Sequence, residues 1–135
     1  YISQQAIHCF EQQHSPGSIL FVGSLAEHGA PTNATYATSK GGLVGLMRSI
    51  AAEYAALPIY ANMVTLGFIE TGMTRDYPDF AKRVLVESCP LKRAGTVEEV
   101  AASICFLAGL QKPMLNGQHI HVSGGLIDFP LDYPS

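Results

Sequence analysis

Apolar residues along this chain fall into two rhythms, and their alternation predicts the elements. The opening YISQQAIHCFEQQ sets Ile2, Ala6, Cys9 and Phe10 on one helical stripe, with no start signal ahead of it. SPGS, 15–18, reads as a turn. ILFVG, Ile19 to Gly23, is an unbroken β-rich apolar run, the pattern of a parallel strand buried on both faces. After a loop with Gly29 and Pro31, Leu43, Leu46, Met47, Ile50, Ala51 and Tyr54 recur at helical spacing. They predict a long helix from about Thr35 to Ala56, stopped ahead of Pro58. IYANMVTL, Ile59 to Leu66, predicts a second strand ending in Gly67, followed by loop and short helices over Phe68 to Ser88. Thr96 and Glu99 open TVEEVAASICFLAGL as a capping box, and Gln118 to Val122 alternates like a third strand before Gly124-Gly125.

Helix and strand thus alternate three times. That order predicts an α/β layer, a parallel sheet with right-handed crossovers and helices on both faces. Chemistry in such sheets gathers at the carboxyl ends of the strands. Ser24 and Gly67 each fall just past a strand end.

Composition narrows the class. Apolar residues make up 47% of the 135, charged ones only 14%, and the net charge is −3. So apolar a chain is expected to fold rather than stay disordered. Its scattered basic residues argue against a nucleic-acid surface. No apolar run approaches a membrane span, and no leader is expected. Cys9, Cys89 and Cys105 are widely spaced and odd in number, which reads as three reduced thiols in a cytoplasmic protein.

The chemistry-bearing stretch is ATYATSKGGLVGLMRSIAAEYA, Ala34 to Ala55. Tyr36 and Lys40 lie one helical turn apart and share a face. An ammonium about 4 Å from a phenolate is worth roughly 4 kcal/mol at an effective dielectric near 20. Such a pair is a tuned proton donor and acceptor for neutral pH. A hydroxyl arriving at the strand end, Ser24, suits a carbonyl oxygen gaining charge. Gly41, Gly42 and Gly45 each cost the helix about 1 kcal/mol relative to alanine. Close approach of another helix or a ligand is the expected reason for them. His119 and His121 alternate onto one strand face. With no third donor nearby in sequence they read as a packed or surface pair, and no metal is expected. His28 reads as a solvated loop histidine, Glu70 as exposed, Arg93 as organising the turn before the capped helix, and LDYPS as a surface or oligomer-contact tail.

Five segments in order carry a resemblance: SILFVGS, YATSKGGLVGLMRSIAAEYA, ANMVTLGFIETGMT, PLKRAGTVEEVAASICFLAG and NGQHIHVSGGL. Together they resemble the C-terminal half of a short-chain dehydrogenase/reductase, most like the 3-oxoacyl-[acyl-carrier-protein] reductase branch. The resemblance implies the C-terminal half of a Rossmann-type doubly wound parallel sheet, three layers α/β/α. Residues 1–135 would be one domain, the catalytic portion, with the N-terminal dinucleotide-binding half outside it. It implies that Ser24 bonds the substrate oxygen, Tyr36 transfers the proton, and Lys40 holds the nicotinamide ribose and tunes the phenol. Gly67, Phe68, Ile69 and Thr71 would line the nicotinamide, with backbone near Ile69 meeting its carboxamide, and Gly72 to Ser88 would form the substrate lid. The hydride would come from NADP or NAD, NADP ahead. The substrate would be a small carbonyl or 3-oxoacyl thioester, as in fatty acid biosynthesis, and the long helix would pair subunits into a dimer or tetramer.

Three departures stand against the family pattern. Leu66-Gly67 replaces Pro-Gly, Ser123 replaces an aspartate, and the glycine-rich turn and the family's catalytic asparagine lie outside these residues. Two alternatives accompany the reductase reading: a dehydrogenase for another alcohol such as a sugar or steroid, and a non-catalytic half-domain acting through a partner chain.

Overall fold

The computed structural model describes residues 1–110, 114–128 and 130. Helix α1 spans Ile2–Gln13 and ends on His14, whose positive φ of 48° turns the chain toward the sheet. Strand β1, Gly17–Ser24, leads into a short 3-10 turn, Leu25–His28, and helix α2, Ala34–Glu53. Strand β2 is Ile59–Leu66, helices α3 and α4 are Asp79–Ser88 and Val97–Ala108, and strand β3 is His119–Val122. The three strands form one parallel sheet in the order β1-β2-β3.

Strand periodicity decides what each face holds. Ile19 and Phe21 of β1 and Ile59, Ala61 and Met63 of β2 meet Ile7 and Phe10 of α1 and Leu43, Met47, Ile50 and Ala51 of α2 in one core. Two residues further along, the same face carries Gly23, Thr65 and His121, aligned across the sheet. The apolar core therefore gives way to polar chemistry at the carboxyl ends of the strands. Val100 and Leu107 of α4 are buried outside that cluster.

Two asparagines that the hydrophobic pattern passes over lock β3 into register. Buried Asn62 donates to Leu115 O and accepts from Gln118 N, both at 2.9 Å. Asn116 Oδ1 accepts from Ala61 N at 3.0 Å, while its Nδ2 donates to Ala51 O at 3.0 Å. Asn116→Ala is therefore expected to cost about 1–3 kcal/mol by orphaning a buried amide and a carbonyl, measured by urea unfolding.

The expected capping box is present. Thr96 Oγ1 accepts from Glu99 N, and Glu99 accepts from Thr96 N at 2.9 Å. Arg93 also grips Glu99 through both terminal nitrogens, at 2.9 and 2.6 Å, so it does organise this turn. Arg93's hydrogen bonds, then the Thr96 amide, lower the Glu99 carboxyl to about 2. A carboxyl near 4.3 when unfolded and lower when folded stabilises above the unfolded value and stops doing so as pH falls through the folded one. The expected outcome is a contribution lost between roughly pH 4.3 and 2, with Arg93→Ala moving the Glu99 midpoint, followed by NMR, back up.

Element boundaries shift slightly from expectation. β1 starts at Gly17, whose amide donates to Pro58 O at 2.9 Å. α2 ends at Glu53 rather than Ala56, because Ala55 and Leu57 turn back onto Ala52 O and Tyr54 O. β3 begins at His119, one residue later than expected. Of the span Phe68 to Ser88, only Asp79–Ser88 is α-helical. The LDYPS tail lies outside the described residues.

Candidate active site

Ser24 ends β1, and Lys40 of α2 links that strand to Tyr36. Ser24 is the last strand residue and caps the 3-10 turn, its Oγ accepting from Ala26 N at 3.3 Å. Lys40 reaches back from α2, and its Nζ donates to Val22 O at 2.9 Å, two residues before Ser24. That bond fixes the ammonium above the strand end, 5.7 Å from the centre of the Tyr36 ring. Tyr36 stands on the exposed side of the first turn of α2, with its main-chain carbonyl accepting from Ser39 Oγ.

One glycine explains how α2 comes so close. A methyl on Gly41 would sit 3.0 Å from Glu27 O, so a side chain there would push the helix off the turn. Gly42 and Gly45 meet nothing within 4 Å, so close approach within this chain accounts for Gly41 alone.

Gly67, Phe68, Ile69 and Thr71 form the second strand-end segment. A methyl on Gly67 would lie 2.8 Å from Ser123 Cα, and its amide donates to Val122 O at 3.1 Å. Glycine is thus what lets the loop cross β3 closely. Ile69 is buried and bridges Gly95, with Gly95 N bonding Phe68 O at 2.9 Å and Glu70 N bonding Gly95 O at 3.0 Å. Thr74 closes the loop, its hydroxyl donating to Ile69 O at 2.7 Å and accepting from Thr71 N at 2.9 Å. Glu70 is exposed, as expected. Two cavities flank the segment. One, of about 460 Å³, is lined by Phe68, Ile69, Cys89 and Ser123; the other, of about 570 Å³, by Phe68, Thr71, Arg75 and Lys82. Their size suits a small-molecule site. Ser24, Tyr36 and Lys40 line neither.

Ser123, at the family's aspartate position, is buried, and its hydroxyl donates to Leu126 O. It closes the glycine turn from within.

Sequence reasoning missed Glu27. The turn after β1 brings it to His119, so the histidines do have a third donor, distant in sequence. Burial pushes the His119 imidazole below its ordinary value, against the pull of the Glu27 carboxylate. His28, exposed as expected, also pairs its Nδ1 with Asp128 at 2.8 Å.

A family model described as enoyl-(acyl carrier protein) reductase matches residues 1–127. A Serratia marcescens short-chain dehydrogenase/reductase mutant superposes with a TM-score of 0.75 at 31% identity, covering 86% of this chain and 49% of that one. The chain belongs to the short-chain dehydrogenase/reductase family. Among curated relatives, the 3-oxoacyl-[acyl-carrier-protein] reductase of Thermotoga maritima is 41% identical over 82% of this chain and 46% of its own length. That of Mycobacterium tuberculosis is 37% identical over 85% of this chain and 47% of its own. The chain therefore spans about half the length of the curated relatives it matches. Among the described residues no helix is long and apolar enough to cross a membrane.

Proposed function

We propose that these residues are the catalytic portion of an NAD(P)-dependent reductase interconverting a ketone and a secondary alcohol, with a 3-oxoacyl thioester as substrate. The observation that carries this is the Lys40 ammonium, 5.7 Å from the centre of the Tyr36 ring and bonded to Val22 O two residues before Ser24. Ser24 Oγ holds the carbonyl oxygen while charge grows on it. The Tyr36 hydroxyl supplies its proton, and the Lys40 ammonium stabilises the phenolate left behind. A bound nicotinamide supplies the hydride, which no side chain can. The cavities beside Phe68 and Thr71 have the volume to take the nicotinamide end, and Lys40, which lines neither, would reach its ribose from α2. The phosphate-binding glycine turn would come from residues outside these 135, as would the strands continuing the sheet past β1. The edge of β1 away from β2 suits such strands, which would take over Val22 O and release the Lys40 ammonium. NADP is the favoured cofactor, and the cytoplasm, where its three free thiols stay reduced, the proposed location. Leu46, exposed on α2 beside the open Gly42 and Gly45, suits subunit pairing through that helix.

The test is NADPH and NADH oxidation by the purified protein with a 3-oxoacyl thioester, alongside its denatured mass. A mass about twice that of the 135 residues with thioester-dependent NADPH oxidation supports the reading. Oxidation only with a sugar or steroid ketone replaces the substrate. A mass matching 135 residues with no oxidation overturns the enzyme reading in favour of association with a partner chain.

A further inference from the structure

Beyond Met63, the face of the sheet that holds the core carries a polar cluster the proposed reduction does not use. Glu27, in the 3-10 turn after β1, has a side chain with 0% exposure. Thr65 Oγ1 donates to its carboxylate, 3.0 Å from each oxygen, and His119 Nε2 lies 2.7 Å from Oε1 and 2.5 Å from Thr65 Oγ1. His121 follows on the same face of β3, its ring centre 4.7 Å from that of His119. One donor atom from each of Glu27, His119 and His121 lies within 4.8 Å of the others. Gly23 makes the room: a methyl there would sit 2.8 Å from Glu27 Oε2 and 2.7 Å from Thr65 Oγ1.

We propose that Glu27, His119 and His121 bind a divalent transition ion of the zinc type. One carboxylate oxygen and two imidazoles are the donors that borderline-soft ions select, whereas magnesium and calcium take oxygen alone. Bonds of about 2.1 Å in a tetrahedron require donors about 3.4 Å apart. The Glu27–His119 pair at 2.7 Å would open, and the 4.8 Å limit close, toward that spacing as the ion replaces the proton the pair shares. Alternation along β3 places both imidazoles on one face without backbone strain. The Thr65 hydroxyl orients the carboxylate, as partners of metal ligands do. At the rim His28 lies 6.4 Å, ring centre to ring centre, from each of the other two histidines. Its Nδ1 is held by Asp128 at 2.8 Å while its Nε2 lies 3.8 Å from Glu27 Oε1. An ion here would tie the edge strand β3 to the turn that follows Ser24. The proposal does not depend on the reductase reading.

The test strips the full chain with a chelator and titrates it with Co2+, then Zn2+. One Co2+ per chain should bind, give the visible absorption of a four-coordinate nitrogen–oxygen site, and be displaced by Zn2+. His121→Ala is the reporting variant because that side chain is exposed, so its loss leaves the fold intact. It should weaken binding by at least about 10-fold, while His8→Ala with His14→Ala leaves binding unchanged. Zn2+ at saturating excess should raise the Tm of the parent and not of His121→Ala. Absence of saturable Co2+ binding, equal affinity in His121→Ala, or loss of binding in the His8/His14 variant would each overturn the site.

Discussion

Tyr36→Phe is expected to lower kcat/KM for ketone reduction by about a hundred- to ten-thousand-fold, the range for removing a positioned proton donor. The substitution isolates the chemistry. Tyr36 stands on the exposed side of α2, so phenylalanine keeps the ring and its place 5.7 Å from Lys40 Nζ while deleting the hydroxyl alone. The unfolding midpoint should then stay within the ~0.5 kcal/mol usual for surface changes. Initial rates of NADPH oxidation beside a urea melt give both numbers from one preparation. A large rate loss at constant stability supports the proton-donor role. Undiminished rate would return Tyr36 to an ordinary helix-surface residue and sink the reductase reading with it.

What the sequence could and could not disclose follows from the range of each interaction. α2 was legible because burial imposes a period from Leu43 to Tyr54, and β1 as the apolar run Ile19 to Gly23. That strand is not buried on both faces as expected, since Val22 is exposed. The α4 cap was legible because Thr96 and Glu99 are three residues apart. Tyr36 and Lys40 were legible as a helical pair, yet the bond that aims Lys40 runs to a main-chain carbonyl in β1, which no side-chain pattern encodes. Glu27 was invisible for the same reason. Its partners arrive from β2 and β3, and only the fold buries this glutamate of a polar loop beside two histidines. Asn62 and Asn116 likewise act on backbone groups far along the chain. Strand ends moved by a residue or two because their last hydrogen bonds, such as Gly17 to Pro58, are set by the neighbouring strand.

Met63→Ala is expected to destabilise the protein by about 2–5 kcal/mol, the cost of a large-to-small change in a core that cannot collapse. Met63 is 0% exposed on the central strand, packed between α2 and the two flanking strands. Its thioether methyl occupies the space above Gly23, 2.2 Å from where a side chain at that position would begin. Gly23→Ala alone should therefore cost about 1–3 kcal/mol through overpacking. The two changes have opposite steric signs at one spot, so the double variant should be less destabilised than the sum, by on the order of 1 kcal/mol. Recovery will be incomplete, because the new methyl still presses on Thr65 Oγ1 and Glu27 Oε2, at 2.7 and 2.8 Å. Urea unfolding of the four proteins in the cycle measures the coupling. Strict additivity would mean that Met63 already leaves the Gly23 site in solution. The glycine would then be needed only by the Glu27 carboxylate beside it.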